Sequence, residues 1–183
     1  KGHEVDANTL AFKAGDGLYG TFACRSVDTL LVFGSNGRVY SVAVAGLPGG
    51  RGDGQPITTM IELEAGTQPA HYFAGETQRM LVLANTGGFG LLAQVGDLVS
   101  RQRGGKTFLA LEDKEVPLPP APVGGVAGGE LLGQQLACVS LSGRLLVFPL
   151  DELKHQPKGG RGLTLMELDA KGDYRKENLA AMR

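Results

Sequence analysis

The sequence contains no tryptophan, and aromatic residues fill only 6% of its 183 positions. Its core must therefore rest on aliphatic side chains rather than on a few large rings. Two cysteines and three histidines are too few for a disulfide framework or a many-ligand metal centre. His3, His71 and His155 stand at unrelated places, no two at ligand spacing. Cys24 and Cys138 each sit inside an apolar, strand-like run and are expected as small buried hydrophobes. No run approaches the roughly 18 apolar residues of a membrane helix, and no charged segment followed by a short apolar one opens the chain. A soluble cytoplasmic protein with no membrane partner is the expectation. Excess charge is missing as well: the formal net charge is -1. A nucleic-acid role cannot rest on an overall basic field and needs basic residues sorted onto one surface.

What the chain does have is glycine, 29 residues or about twice the usual share, beside a hydrophobic content of 42%. That combination suits many tight turns between short strands around a real core. The opening at Lys1 falls within the pattern rather than before it, so a piece of a longer polypeptide is expected.

Three stretches stack on one another: LLVFGSNGRVYSV from Leu30, MLVLANTGGFGLL from Met80 and LACVSLSGRLLVF from Leu136. Each reads as an apolar strand, a turn holding Gly37, Gly87 or Gly143, and a second apolar strand, which is the signal for a β-hairpin. These glycines are spaced 50 and then 56 residues apart by position, a period that marks propellers and other repeat arrays. Short runs precede the first two hairpins, TFAC at 21–24 and HYFA at 71–74, and are expected as strands. After each hairpin comes a glycine-rich basic loop, GGRGDG from Gly49, RQRGGK from Arg101 and KGGRG from Lys158. Further apolar strands are expected after these loops in ITTMIEL from Ile57, TFLALE from Thr107 and LTLMEL from Leu163. Four short strands per repeat make a blade, giving three complete repeats and part of another at residues 1–16. The proline-rich 117–129 is expected as an extended connector. Residues 173–183 lose the pattern and are expected as a short helix or frayed tail beyond a β domain spanning 1–172.

No catalytic constellation emerges, and neither a catalytic residue nor a cofactor or metal is expected in this chain. Gly34-Ser35-Asn36-Gly37 lacks the G-x-S-x-G spacing of a nucleophile elbow and joins two strands. Gly105-Lys106-Thr107 ends like a phosphate-binding loop, but Ser100 stands where the first glycine is needed and a strand-like run follows instead of a helix. Arg51-Gly52-Asp53 spells an adhesion tripeptide by coincidence of a loop composition. The carboxylates after each fourth strand, such as Glu62, Glu64, Glu112, Glu115 and Glu167, read as solvated blade edges.

The positive charges are sorted. No acid lies between Leu98 and Leu109, which hold Arg101, Arg103 and Lys106, nor between Leu153 and Leu165, which hold Lys154, Lys158 and Arg161. Arg38 and Arg144 each follow the hairpin glycine, and Arg51 sits in the first loop. Repetition would bring equivalent loops to equivalent places and form a basic belt that phosphates could track. An ordinary solvated loop in each repeat is the alternative.

The segments KGHEVDANTLAFKAGDG, GRGDGQPIT and DLVSRQRGGKTFLAL resemble the C-terminal domain of the A subunit of bacterial topoisomerase IV, over nearly the whole chain to about Asp173. The A subunit of the related gyrase carries the same type of domain. The resemblance implies a β-pinwheel, a propeller-like disk of four-stranded blades in which one strand is exchanged with the neighbour. Gyrase carries a signature Q-R-R-G-G-K-G, whereas residues 101–107 here read RQRGGKT, which points to topoisomerase IV and away from tight chiral wrapping. The resemblance also implies a non-catalytic part of an ATP-dependent type IIA topoisomerase that bends duplex DNA and guides substrate choice in decatenation and supercoil relaxation. Its partners would be double-stranded DNA, the rest of the A subunit, together with the B subunit, in the setting of the bacterial nucleoid, with the isolated piece monomeric. The expected phosphate contacts are Arg38, Arg51, Arg101, Arg103, Lys106, Arg144, Lys158 and Arg161. A propeller-type protein-interaction platform and the equivalent gyrase domain are the competing readings.

Overall fold

The computed structural model describes residues 11–49, 54–124, 131, 133–168 and 179–182. The first hairpin is β1 (Thr29–Gly34) and β2 (Arg38–Ala43), followed by β3 (Pro69–Gly75). The second is β4 (Met80–Ala84) and β5 (Phe89–Gln94), followed by the single helical turn α1 (Val95–Leu98), β6 (Lys106–Thr107) and β7 (Ala121–Pro122). The third is β8 (Gln135–Ser140) and β9 (Leu145–Pro149), followed by β10 (Leu163–Thr164) and β11 (Leu179–Met182). All three expected hairpins form and pair antiparallel, with Phe33 opposite Val39, Ala84 opposite Gly90 and Val139 opposite Leu145.

Their turns share one chemistry, with a correction to the second. The left-handed residues are Gly37, Gly88 and Gly143, at φ of 77°, 84° and 83°. Each N–H closes the turn on the carbonyl three residues back, at 3.0, 3.1 and 3.0 Å. Gly87, expected in that role, is one position early and is glycine for another reason. A Cβ there would stand 2.0 Å from Glu115 Oε1.

The blades are not built from consecutive strands. The sheet orders are β3-β1-β2-β6, β10-β5-β4-β7 and β11-β8-β9. Each four-stranded blade therefore takes a hairpin and the next edge strand from its own unit, and its last strand from the unit after it. HYFA lies within β3, but pairs with β1 rather than with the hairpin that follows it. The segments after the basic loops are strand for only two residues. Phe108 and Leu109 N–H both turn onto the Gly37 carbonyl at 3.1 and 3.0 Å, and Leu165 and Met166 onto that of Gly88 at 2.8 and 3.3 Å, which ends the ladder.

Two expected strands do not form. Residues 21–24 are without regular structure, and Ile57–Thr59 closes into a 3-10 turn. Both stand where a hairpin before β1 would receive them, and among the described residues there is none. Cys24 is exposed rather than buried for the same reason. The proline-rich connector contributes β7, where Pro122 is tolerated because β7 is an edge strand. Leu179–Met182 lie on the β8 edge as β11, not in a helix, and the expected frayed stretch before them is outside the described residues.

Alternation sorts the aliphatic residues into layers. Leu31, Phe33 and Val39 of the first blade meet Leu81, Leu83, Leu91 and Ala93 of the second. The second blade's other face, Val82, Ala84 and Leu92, meets Leu136 and Cys138 of the third. Leu30, Val32 and Tyr40 close over Ile61 on the first blade's other face.

Candidate nucleic-acid interface

The expected phosphate-binding cations fall into two groups, and the larger one is occupied with holding the fold. Arg38, with 23% of its side chain exposed, pairs with Glu64 at 3.1 Å. It also donates to the Gly104 carbonyl at 3.1 and 2.8 Å, to the Gly105 carbonyl at 3.1 Å and to Thr107 Oγ1 at 3.2 Å. It thus clamps the donated β6 onto β2. Lys106 donates its Nζ to the Asp97 carbonyl and sits 5.7 Å from the centre of the Phe108 ring. Arg103 donates to the Thr59 and Met60 carbonyls at 2.7 and 3.3 Å and faces Glu62 at 3.8 Å. Arg144 donates to the Glu167 carbonyl at 2.8 Å.

The second blade has Phe89 where the other hairpins have arginine, and Arg161 of the third loop supplies the missing guanidinium. It lies 3.9 Å over the Phe89 ring, pairs in bidentate fashion with Glu115 at 2.8 and 3.1 Å, and reaches Glu112 at 3.2 Å. Glu115 is only 10% exposed and also accepts from Asn85 Nδ2 at 3.2 Å, so the clasp is sheltered from screening.

The smaller group is Arg101 and Lys158. Both are exposed, and neither has an acidic partner among the described residues. They occupy one repeat position, each four residues before the left-handed glycine that precedes the donated strand, Gly105 at φ 60° and Gly162 at φ 84°. The loops carrying them pack alike on the preceding unit: Glu62 N–H donates to Arg103 C=O, and Ala110 N–H to Gly160 C=O, both at 2.9 Å. Lys154 is also exposed, its backbone carbonyl anchored to Leu92 N–H at 3.3 Å. It was legible as part of an acid-free stretch, yet stood outside the expected contact set. Arg51 lies outside the described residues.

Other ionic groups here are structural. His155 Nε2 stands 2.6 Å from Asp97 Oδ2, tying the third loop to α1, whose Asp97 also accepts the Gln94 N–H at 2.9 Å. Arg25 donates its backbone N–H and guanidinium to Asp28 at 2.7, 3.0 and 2.8 Å, and these bonds hold the Asp28 carboxyl below its ordinary range. Arg25 also meets Glu76 at 2.7 Å, fastening the approach to β1 against the end of β3. Among the described residues no three His, Cys, Asp or Glu side chains gather as a metal site would require. No described helix is long and apolar enough to cross a membrane.

Known proteins share this arrangement. The family model described as the DNA gyrase C-terminal domain, beta-propeller, matches residues 28–60 and 134–174. Each matched stretch begins at a hairpin of the first or third unit and runs past its basic loop. The A subunit of DNA topoisomerase 4 from Neisseria gonorrhoeae is 35% identical over 175 residues, covering 92% of the chain and 22% of that protein. The solved Escherichia coli ParC C-terminal domain aligns at a TM-score of 0.87 and 28% identity, covering 100% of this chain and 72% of that one. The chain belongs to the DNA gyrase C-terminal domain family. Within it, the expected likeness to the A subunit of topoisomerase IV and the expected all-β pinwheel are both borne out. The A subunit of DNA topoisomerase 4 from Escherichia coli K12 is 31% identical over 159 residues, covering 87% of the chain and 20% of that protein. The chain spans about a fifth of the length of these curated relatives. The strand exchange seen here is thus carried by a gyrase-family domain, and Arg101 and Lys158 of its second and third basic loops are left exposed once that exchange is made.

Proposed function

We propose that this gyrase-family domain holds and bends duplex DNA along the edge where its basic loops emerge, as a non-catalytic part of a type IIA topoisomerase. The shared repeat position of Arg101 and Lys158, exposed and without acidic neighbours among the described residues, carries this reading. Arginine suits phosphate geometry through its planar fork, and lysine acts as a point charge. Lys154 adds a third cation. Arg38, Arg103, Lys106, Arg144 and Arg161 serve first to fix the loops, and reach phosphates only with what their clasps leave accessible. Contacts to backbone phosphates position DNA without reading bases, so sequence preference is weak. In the parent protein, residues 1–172, with β11 sealing the β8 edge, steer which DNA segment is offered in decatenation and supercoil relaxation. The rest of the A subunit, together with the B subunit, supplies the cleavage and ATP chemistry in the bacterial cytoplasm, at the nucleoid.

The test is the salt dependence of duplex binding. Each phosphate contact contributes roughly -0.9 to the slope of log K against log salt, so Arg101→Ala with Lys158→Ala should flatten it by about 2. Glu115→Ala should lower thermal stability without flattening the slope, since it frees the Arg161 guanidinium rather than removing a cation. A slope untouched by the double change would remove this edge as the DNA site. Failure of the unaltered chain to bind duplex at any salt would favour a protein-interaction platform instead.

A further inference from the structure

Two loops act as one binding site only when their separation is set before the ligand arrives; otherwise the complex bears the cost of ordering them. The second and third basic loops are each fastened to the unit before them, and they begin at the same place on it. Ser100 N–H donates to Ser41 Oγ at 2.9 Å. In the third loop Gln156 N–H donates to the Leu92 carbonyl at 2.8 Å, and Leu92 N–H to the Lys154 carbonyl at 3.3 Å. Ser41 and Leu92 each stand three residues after the position held by Arg38 in the first hairpin and Phe89 in the second. Further along, the second loop bonds Glu62 through Arg103, and the third bonds Phe108 and Ala110 through Gly160. None of these bonds runs from the second loop to the third.

Asp97 of α1 supplies that link. Its backbone carbonyl accepts Lys106 Nζ, which closes the second loop at its base around Arg101 and Arg103. Its Oδ2 accepts from His155 Nε2 of the third loop at 2.6 Å and from the Gln94 N–H at 2.9 Å. An ionised carboxylate oxygen only accepts, so His155 Nε2 carries its proton. The Gln94 capping box holds the Asp97 side chain in place, and the parallel bridge to Leu92 holds the His155 backbone. Asp97 is 18% exposed, so this contact is partly withdrawn from solvent. An acid thus stands where the bases of two cation-bearing loops meet, with Lys154 and Lys158 on either side of its histidine partner in the chain.

We propose that Asp97 is a positioning residue of the nucleic-acid interface: by gripping His155 beside the base of the second loop, it fixes Arg101 and Lys158 at one separation, so that a single duplex meets both. This inference rests on the reading of the loop edge as the DNA site. Loops already held apart at a set distance behave as linked contacts, and the second phosphate contact follows the first at a high effective concentration. Loops released from each other still carry their cations, but lose that advantage. The sign of the Asp97 charge separates positioning from a general electrostatic effect. Removing an acid from among cations strengthens DNA binding if only the summed field matters, whereas a positioning role makes its removal weaken binding.

The experiment measures duplex affinity and its salt slope on the full chain. Asp97→Ala should weaken binding about tenfold at fixed salt and leave the slope as it is, since every cation remains. Asp97→Asn should restore most of the affinity, because one amide oxygen at the Oδ2 position accepts both the Gln94 N–H and the His155 Nε2–H. His155→Ala spares the Gln94 bond, and so keeps the test decisive even where Asp97→Ala fails to fold. It should weaken binding to the same degree, and the two changes together should be no worse than either alone. In a background of Arg101→Ala with Lys158→Ala, Asp97→Ala should cause no further weakening. Unchanged or tighter binding in the folded variants would overturn the proposal, as would a loss that persists in that background. An affinity untouched by Arg101→Ala with Lys158→Ala would sink the DNA reading itself, and this inference with it.

Discussion

The first and third hairpins have the same turn and the same arginine after it, and their second strands are apolar in both, yet one strand is sealed and the other lies open. Asp28 and Gln134 stand at matching places before them, and their carbonyls accept from Val44 and Leu150 N–H at 3.2 and 2.9 Å. Local sequence therefore makes the hairpin, and a distant segment decides whether its outer edge is core or surface. Leu109 O presses toward Gly37 because β6 arrives from beyond the second hairpin. Nothing described arrives over Gly143.

The sharpest way to break this comparison is to add a methyl group at both turns. Gly37→Ala forces a Cβ into a backbone carbonyl in a left-handed conformation and should cost about 3 kcal/mol or more by urea denaturation. Gly143→Ala meets only the conformational strain, about 1 kcal/mol. Equal losses would mean that the two edges do not differ as described. The Arg161–Glu115 clasp tests the same logic at the second blade, where the guanidinium is delivered from the next unit. A double-mutant cycle over Arg161→Ala and Glu115→Ala should return a coupling of about 2 kcal/mol, and an additive pair would make the clasp incidental.

At the base of the first hairpin the expected effect is smaller and depends on pH. The Arg25 hydrogen bonds lower the folded-state pKa of Asp28 from its ordinary 3.8. The stability they contribute is fully present above that ordinary value and is lost as pH falls through the lowered one. Asp28→Asn should remove this acid-limb dependence; the third hairpin, with Gln134 at the matching place, has no such carboxyl. The smallest effect concerns thiols. Burial pushes Cys138, on the inner side of the third hairpin, up to about 11, whereas Cys24 is exposed. At neutral pH a thiol reagent should label Cys24 in the native chain and Cys138 only after denaturation. Rapid labelling of Cys138 would show that the third hairpin is loose on its inner face as well as open at its edge.

The hairpins were legible because five or six alternating residues around a glycine turn leave a local signature. TFLALE and LTLMEL also read as strands, but that only Lys106–Thr107 and Leu163–Thr164 of them pair, and with a blade a whole unit away, is not written in their local pattern; the exchange was implied by the family resemblance alone. The sorting of cations into the loops was legible too. Which of them remain free was hidden, since it depends on where Glu64, Glu115 and the loop carbonyls come to rest. Gly87 and Gly88 show the limit at a single position: adjacent glycines read alike in sequence, while one serves the turn and the other makes room for Glu115.

Because Lys106–Thr107 completes the sheet begun at Thr29, a chain emerging from the ribosome cannot finish its first blade until the second hairpin has been synthesised. Each unit then waits on its successor, so maturation proceeds as a wave running one step behind translation, and the newest edge is always the one exposed to neighbouring nascent chains.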